Sequence, residues 1–381
     1  MEKVYFDYNA TTPVDKRIAD ALVPVYLECY GNPSNMNSPH GKEADRIFKR
    51  ALRTIADYFG AESLDDIILT SGATESNNLV LRSFLDADGM KKPCRIITSK
   101  IEHDSILKTL EAFGDEVIVD LVENDKFGRV DLDDLESKIQ ENTSLITIMG
   151  ANNEIGTIQP IEKIAEIAHR HGVPFHTDAT QLVPHERVDL SKTEIDYLSL
   201  SGHKIYGPKG VGVLVCRNDS ALYKIKPQIF GGGQQNGYRS GTINVPGAVS
   251  IAEAIRLLDE EIEQDNALNR SLFDAFFEVM DKRKIPYRLN GDPVNRIHGN
   301  ISISIEGLTS IQLLAMLPEY SISTGSACST GKKSHVMVAI GSSDDVISGT
   351  IRIGFGRFSK QEEIVTLAEK IADIYDRICR S

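Results

Sequence analysis

The 381-residue chain is poor in cysteine, short of positive charge, and free of any apolar run long enough to cross a membrane. Its five cysteines (Cys29, Cys94, Cys216, Cys328, Cys379) lie far apart, form no CxxC pair and are odd in number. That spacing argues against a zinc knuckle and a disulfide framework, so no metal site is expected and most of these thiols are expected to be buried. Lys and Arg number 42 against 55 Asp and Glu, a net charge of −13. Direct nucleic-acid binding rests on clustered cations, so that partner class is not expected. The sequence shows no amino-terminal basic-plus-apolar signal, which makes a cytoplasmic location and no membrane partner the expectation. Internal repeats and low-complexity tracts are missing too. Small-molecule chemistry is what these absences favour.

The length exceeds what one compact core usually supports, so a large domain over residues 15–260 is expected, with a smaller α+β domain built from 261–381 and joined by 1–14. From Asp66 onward, strand-like and helix-like pieces alternate: DIILT, RIITS, EVIVDLV and SLITIMG are each followed by a helical stretch. Alternation of this kind predicts an α/β fold with a mainly parallel central sheet flanked by crossover helices.

Two strand-like runs in the middle of the chain end in residues a core strand would not choose. Phe175-His-Thr-Asp178 puts a carboxylate at the carboxyl end of a buried strand, where open α/β sheets place their ligands. The run beginning at Asp196 leads in the same way to Lys204. A buried Lys is costly to keep charged, so its amine becomes a nucleophile able to condense with an aldehyde. Pyridoxal 5′-phosphate (PLP) needs such a Lys, and it needs a carboxylate that keeps its pyridine nitrogen protonated. Taken singly, Lys204 reads as a surface lysine in a Gly-rich turn and Asp178 as a helix cap.

The surrounding words decide between these readings. His176-Thr-Asp-Ala-Thr-Gln181 and Ser201-Gly-His-Lys-Ile-Tyr-Gly-Pro-Lys-Gly210 resemble the cysteine desulfurases of the NifS/IscS type, within the fold-type I, PLP-dependent, class V aminotransferase group. The opening Val4–Pro13 resembles that family's amino-terminal word, with Tyr8 in place of an Asn. Thr70-Ser-Gly-Ala-Thr-Glu-Ser-Asn-Asn78 follows a strand and opens a helix, where free amides and about half a positive charge attract phosphate. The resemblance implies Ala73 and Thr74 as phosphate ligands there, together with Ser201 and His203. It implies that His103 stacks on the cofactor ring and assists proton transfer. It also implies that Asn153 contacts cofactor or substrate carboxylate, and that Gln181 bonds the phenolic oxygen.

Gly231–Asn244 resembles the family's Gly-rich loop, with Gln235-Asn236 replacing a Glu-Arg pair and with Arg239 and Thr242 kept. In the family this Thr serves the neighbouring subunit, so a homodimer is implied. Cys328 lies among Gly, Ser and Thr with Lys332, Lys333 and His335 following, a polar and basic setting that favours thiolate. By resemblance it accepts sulfur, and the stretch from Cys328 to Arg352 has the length found in the long-loop NifS/IscS group. Arg352 matches the arginine that takes the substrate carboxylate bidentately. The implied reaction turns L-cysteine into L-alanine and a persulfide passed to an iron–sulfur scaffold protein or another sulfur acceptor. Two other readings stay open: an aminotransferase of small amino acids, which needs no thiol, and a catalytically idle assembly platform. A nucleotide-binding reading of Gly325–Lys332 fails, because five residues rather than four separate its glycines and no Ser or Thr follows the Lys.

Overall fold

A computed structural model describes residues 3–85, 93–324 and 333–380. Its strands are β1 (Val4–Tyr5), β2 (Ile67–Thr70), β3 (Cys94–Ser99), β4 (Val117–Val122), β5 (Thr143–Thr147), β6 (Phe175–Asp178), β7 (Tyr197–Ser201), β8 (Gly212–Cys216), β9 (Tyr287–Leu289), β10 (Asn300–Ile305), β11 (Tyr320–Ser321) and β12 (Thr350–Gly354). Seven of them form the main sheet in the order β2-β8-β7-β6-β5-β3-β4. The pairings from β7 across to β4 are parallel, whereas β8 runs antiparallel to both β7 and β2. β2, β6, β7 and β8 are buried along their whole length, as strands of a sheet covered on both faces should be. The alternating pattern thus produced the expected layered architecture. The reversed strand β8 has a local cause: it follows β7 through a short turn at 202–211, too short for a crossover helix.

Apolar residues of the sheet and its covering helices fill one core that includes Phe59, Ile97, Phe175, Leu198 and Ile251. A separate core holds Phe276, Ile301, Leu313, Ile353 and Ile371 around β9, β10 and β12. β1 pairs in parallel with β11, and Phe6 is fully buried in this second core. The helix Val245–Lys282 runs from one core to the other: Ile251 and Leu258 pack in the first, Leu272 and Phe276 in the second. The boundary expected at 260/261 therefore falls inside a continuous helix. Helix 39–59 starts where Ser38 caps it and Pro39 fits the first turn.

A cluster of charges fastens the first helix to the long one and to the chain after β12. Arg357 pairs with Asp265 (2.6 Å) and Asp15 (3.0 Å), while Arg17 pairs with Asp15 (2.7 Å) and Glu261 (2.6 Å). The Arg357 guanidinium also lies 4.6 Å from the centre of the Tyr206 ring, two residues beyond Lys204. Buried charges are tolerable only when paired and hydrogen-bonded, and these are. The hydrogen-bonded Arg17 guanidinium, opposed by burial, pulls Asp15 down from 3.8 to about 2. A carboxyl with a depressed folded-state pKa adds stability above its unfolded pKa and loses it as pH falls through the folded one. Asp15→Asn is therefore expected to lower stability by roughly 2 kcal/mol at neutral pH, from 1.36 kcal/mol per pKa unit. The gap to wild type should close between about pH 4 and pH 2 in thermal unfolding, and a gap independent of pH would refute the pairing.

Candidate active site

The carboxyl ends of β6 and β7 lie side by side, with Asp178 opposite Ser199. Asp178 is buried, and its carboxylate accepts hydrogen bonds from Asn77 Nδ2 (2.8 Å) and the Thr180 amide (3.1 Å). β7 passes at Ser201 into a tight turn, Gly202–Lys204. Lys204 Nζ donates from there to the carbonyls of Asn9 and Ala10, the latter at 2.9 Å. The amine and the carboxylate are thus set at the ends of neighbouring strands, as the sequence predicted.

Three further groups close on them. Asn77 Nδ2 also donates to Ser105 Oγ (2.8 Å), which stands 2.9 Å from His103 Nδ1. The Ser105 amide donates to the same His103 nitrogen (3.1 Å), so Nδ1 is the acceptor and Nε2 is left to carry the ring proton. Gln181 Nε2 donates to the Asn9 carbonyl (2.9 Å), and Asn9 Nδ2 donates to Gln181 Oε1 (3.3 Å). His203 Nδ1 lies 3.1 Å from Thr11 Oγ1. Burial, reinforced by the charges of Lys204 and Lys209, lowers the His203 pKa to about 4, so this ring is neutral.

The turn at Ser71-Gly72 brings the start of helix 73–85, and with it Ala73 and Thr74, beside buried Ser201. A Cβ on Gly72 would stand 3.4 Å from Ser201 Oγ, and one on Gly212 would stand only 2.6 Å from Gly72 Cα. Glycine at 212 is what lets the turn lie directly on β8. The first amides of a helix have no partner inside it, so this is an anion-binding corner. Arg239 of the Gly-rich loop pairs with Glu75 in the first turn (2.9 Å). Gln235 does unforeseen work: its amide takes the Leu69 N–H (2.7 Å) and donates to the Leu69 carbonyl (3.0 Å), capping the outer edge of β2.

Arg352 is buried on β12 at 1% exposure. Its Nη1 donates to the Asn153 carbonyl (3.0 Å) and its Nη2 to Asp7 (2.8 Å). Thr242 is exposed, and no hydrogen bond among the described residues ties it to this cluster. Cys328 lies outside the described residues. The chain before it is fixed by Ser323, which exchanges two backbone hydrogen bonds with Arg352 (3.0 and 2.7 Å). The chain after it is fixed by Ser334, which donates to Glu154, and by His335 Nε2, which donates to the Glu102 carbonyl (2.9 Å).

These residues fit PLP. An anion corner, a carboxylate, an amine and a flat ring converge, and among the described residues the buried atoms Asn77 Oδ1, Thr180 Oγ1 and Arg352 Nε find no hydrogen-bond partner. Buried polar atoms left open in this way suit a site completed by a polar small molecule. Sequence reasoning missed Asp7, Asn9, Asn77 and Ser105. Asn77 sat in a word read for phosphate alone, and the polar run after Phe6 carried the signal for the other two at the amino terminus.

Glu102, beside His103, is fully buried, with Oε1 accepting from Ser99 Oγ (2.6 Å) and the Met149 amide (3.0 Å). Burial, only partly offset by these bonds, raises its pKa from 4.5 to about 8. A carboxyl whose folded pKa is raised contributes stability below its unfolded pKa and loses it as pH rises through the folded one. Glu102→Gln is expected to flatten the decline in thermal stability between about pH 5 and pH 8, and an unchanged decline would place that titration elsewhere.

Residues 4–367 match the family described as aminotransferase class-V. The chain is 41% identical over 383 residues to "Cysteine desulfurase IscS" of Methanosarcina thermophila, covering 98% of this chain and 92% of that protein. It is 38% identical over 379 residues to "Cysteine desulfurase, mitosomal" of Trachipleistophora hominis, covering 97% and 85%. Among solved structures, a "NifS-like protein" superposes with a TM-score of 0.90 at 33% identity, covering 98% of this chain and 100% of that one. "SspA in complex with cysteine" does so with 0.81 at 34% identity, covering 94% and 100%. The chain therefore belongs to the aminotransferase class-V family and, within it, to the cysteine desulfurases of the NifS/IscS type.

Proposed function

We propose that this chain is a PLP-dependent cysteine desulfurase that converts L-cysteine to L-alanine and retains the sulfur as a persulfide on Cys328. The observation that carries the reading is the pair Lys204 and Asp178 on neighbouring strand ends, with Arg352 held against the same amino-terminal segment. When PLP is bound, Ala73, Thr74, Ser201 and His203 would hold its phosphate, Asp178 its ring nitrogen, Gln181 and Asn153 its phenolic side, and His103 its ring face. When bound, PLP supplies an electron sink for the charge released at the substrate α-carbon.

The chain's own groups do the rest. Arg352 takes the α-carboxylate and orients the substrate. Lys204 removes the α-proton, and His103 is a second group within the site able to carry a proton. The Cys328 thiolate attacks the substrate sulfur; the new S–S bond forms as the C–S bond breaks, and the carbon fragment leaves as alanine once protonated. Transamination, the nearest other chemistry, has no use for Cys328.

The sulfur then passes to an iron–sulfur scaffold protein or another acceptor. We take the enzyme to be a cytoplasmic homodimer in which exposed Thr242 reaches the phosphate site of a second copy, and to consist of domains 15–260 and 1–14 with 261–381. No helix among the described residues is long and apolar enough to cross a membrane.

The decisive assay supplies L-cysteine and measures alanine and sulfide under a reductant. Lys204→Ala should form no alanine, and full activity in that variant would overturn the central assignment. Cys328→Ser should keep the visible cofactor band and form no persulfide by mass spectrometry. A persulfide found mainly on Cys29, Cys94, Cys216 or Cys379 in the wild type would sink the mechanism. Arg352→Ala should weaken cysteine binding by roughly 2–5 kcal/mol, the loss of a buried charged pair, with cofactor loading little affected. An unchanged KM would move the carboxylate anchor elsewhere.

A further inference from the structure

We propose that Asp7 is a positioning residue for the substrate carboxylate: it holds the plane of the Arg352 guanidinium and thereby sets affinity for the amino acid. The inference rests on the reading of Arg352 as the carboxylate anchor. A guanidinium has five N–H donors in a rigid fork. In Arg352 one Nη1 donor is taken by the Asn153 carbonyl and one Nη2 donor by Asp7, and the buried Nε has no partner among the described residues. The two bonds that are made lie on different terminal nitrogens, so together they fix both the tilt and the rotation of the plane. The donors left over include the Nε–H, and a carboxylate needs two of them presented side by side.

Asp7 is suited to this task because its own backbone is fixed. The chain bridges Asp7 to Gly354, two residues beyond Arg352 on β12. The Phe6 carbonyl accepts from the Gly354 amide (2.8 Å), and the Tyr8 amide donates back to the Gly354 carbonyl (3.2 Å). Tyr5 Oη donates to the Asp7 carbonyl (3.2 Å) and to the Thr11 carbonyl (2.8 Å), tying down the turn that follows. The Asp7 side chain is 21% exposed while its partner is 1% exposed, so it screens the guanidinium from the solvent side. Without it, the side chain of Arg352 keeps one tether, at Asn153, and can swing about that bond.

The test uses the holoenzyme with two probes. L-alanine carries the carboxylate without the thiol, so its dissociation constant, from equilibrium titration, is independent of sulfur chemistry. L-cysteine turnover supplies KM and kcat. Asp7→Ala is expected to raise both the alanine dissociation constant and the cysteine KM about tenfold, the loss of the hydrogen bond that places the guanidinium, with kcat changed less than about twofold. Asp7→Asn, which keeps an acceptor oxygen in place, should recover most of that loss. Asp7→Glu keeps the charge but moves the carboxylate by about one methylene, and it should behave like the Ala variant; it decides the matter if Asp7→Ala does not fold. Unchanged binding in the Glu or Ala variant overturns the proposal. So does an Asn variant no better than Ala, since charge rather than placement would then be what counts. A loss confined to kcat overturns it as well. Arg352→Lys is the control: if it leaves alanine binding unchanged, the carboxylate-anchor reading fails, whatever Asp7 does.

Discussion

Four groups of this site, Lys204, Gln181, His203 and Arg352, lean on one short length of chain, Asp7 to Thr12. Its carbonyls at Asn9 and Ala10 receive the Lys204 ammonium, its Asn9 side chain and carbonyl hold Gln181, Thr11 meets His203, and Asp7 meets Arg352. The segment can lie this close to β12 only because position 354 is glycine: a Cβ there would come within 2.5 Å of Asn9 Oδ1 and 2.9 Å of the Asn9 amide. No other residue offers so little bulk at such an approach. Phe6, fully buried in the second core, anchors one end of the segment, and Thr12, bonded through its amide and its hydroxyl to the His203 carbonyl, anchors the other. A length of chain tied to both cores thus fixes groups that belong to each.

The site around it is polar and partly buried, and that combination sets its electrostatics. Charges are stronger in such surroundings and unpaired ones are costly, so each charge is paired or each group neutral. His176, two residues before Asp178 on β6, is wedged between Thr147 Oγ1 (2.8 Å) and Ser199 Oγ (2.9 Å), and burial pushes its pKa down so that it stays uncharged. His203 and Glu102 are likewise held neutral at pH 7. Among these groups, Asp178 and Lys204 are the ones equipped with partners suited to their charge: donors around the carboxylate, carbonyls around the amine. The neighbourhood is built so that charge resides at the reacting positions and not beside them.

Much of this was legible in the sequence because it depends on short range. A charged residue at the end of a buried strand is unusual, so Asp178 and Lys204 stood out, and the helix start after Thr70 announced itself through small and capping residues. Lys204 followed from the turn after β7. What stayed hidden depends on long-range closure. Asp7 and Arg352 are 345 positions apart, and Asn9 and Gln181 are 172 apart, so no local pattern joins them. The same holds for Gln235: at the position of a family Glu it reads as a lost ion pair, and only the edge of β2 reveals an amide standing in for a neighbouring strand. The antiparallel direction of β8 is of another kind: the apolar run looks the same in either direction, and only the short connection before it carries the signal.

The way the structure holds the two sides of the Cys328 segment separates the sulfur chemistry from the cofactor chemistry. Before the segment, Ser323 pairs through its backbone with Arg352, the residue read as holding the substrate carboxylate. After it, Ser334 and His335 grip Glu154 and the Glu102 carbonyl, each next in sequence to a residue of the candidate site, Asn153 and His103. The first attachment uses only the backbone of Arg352 and the second ends at neighbours of site residues, so neither occupies a side chain assigned to the site. Lys204, Asp178 and Gln181 keep their partners in the amino-terminal segment, in helix 73–85 and in the turn after β6, none of which carries the Cys328 segment. A thiol supplied between two such attachments can be removed by substitution without disturbing the groups that bind cofactor and substrate, which is what makes the two halves of the reaction separable by mutation.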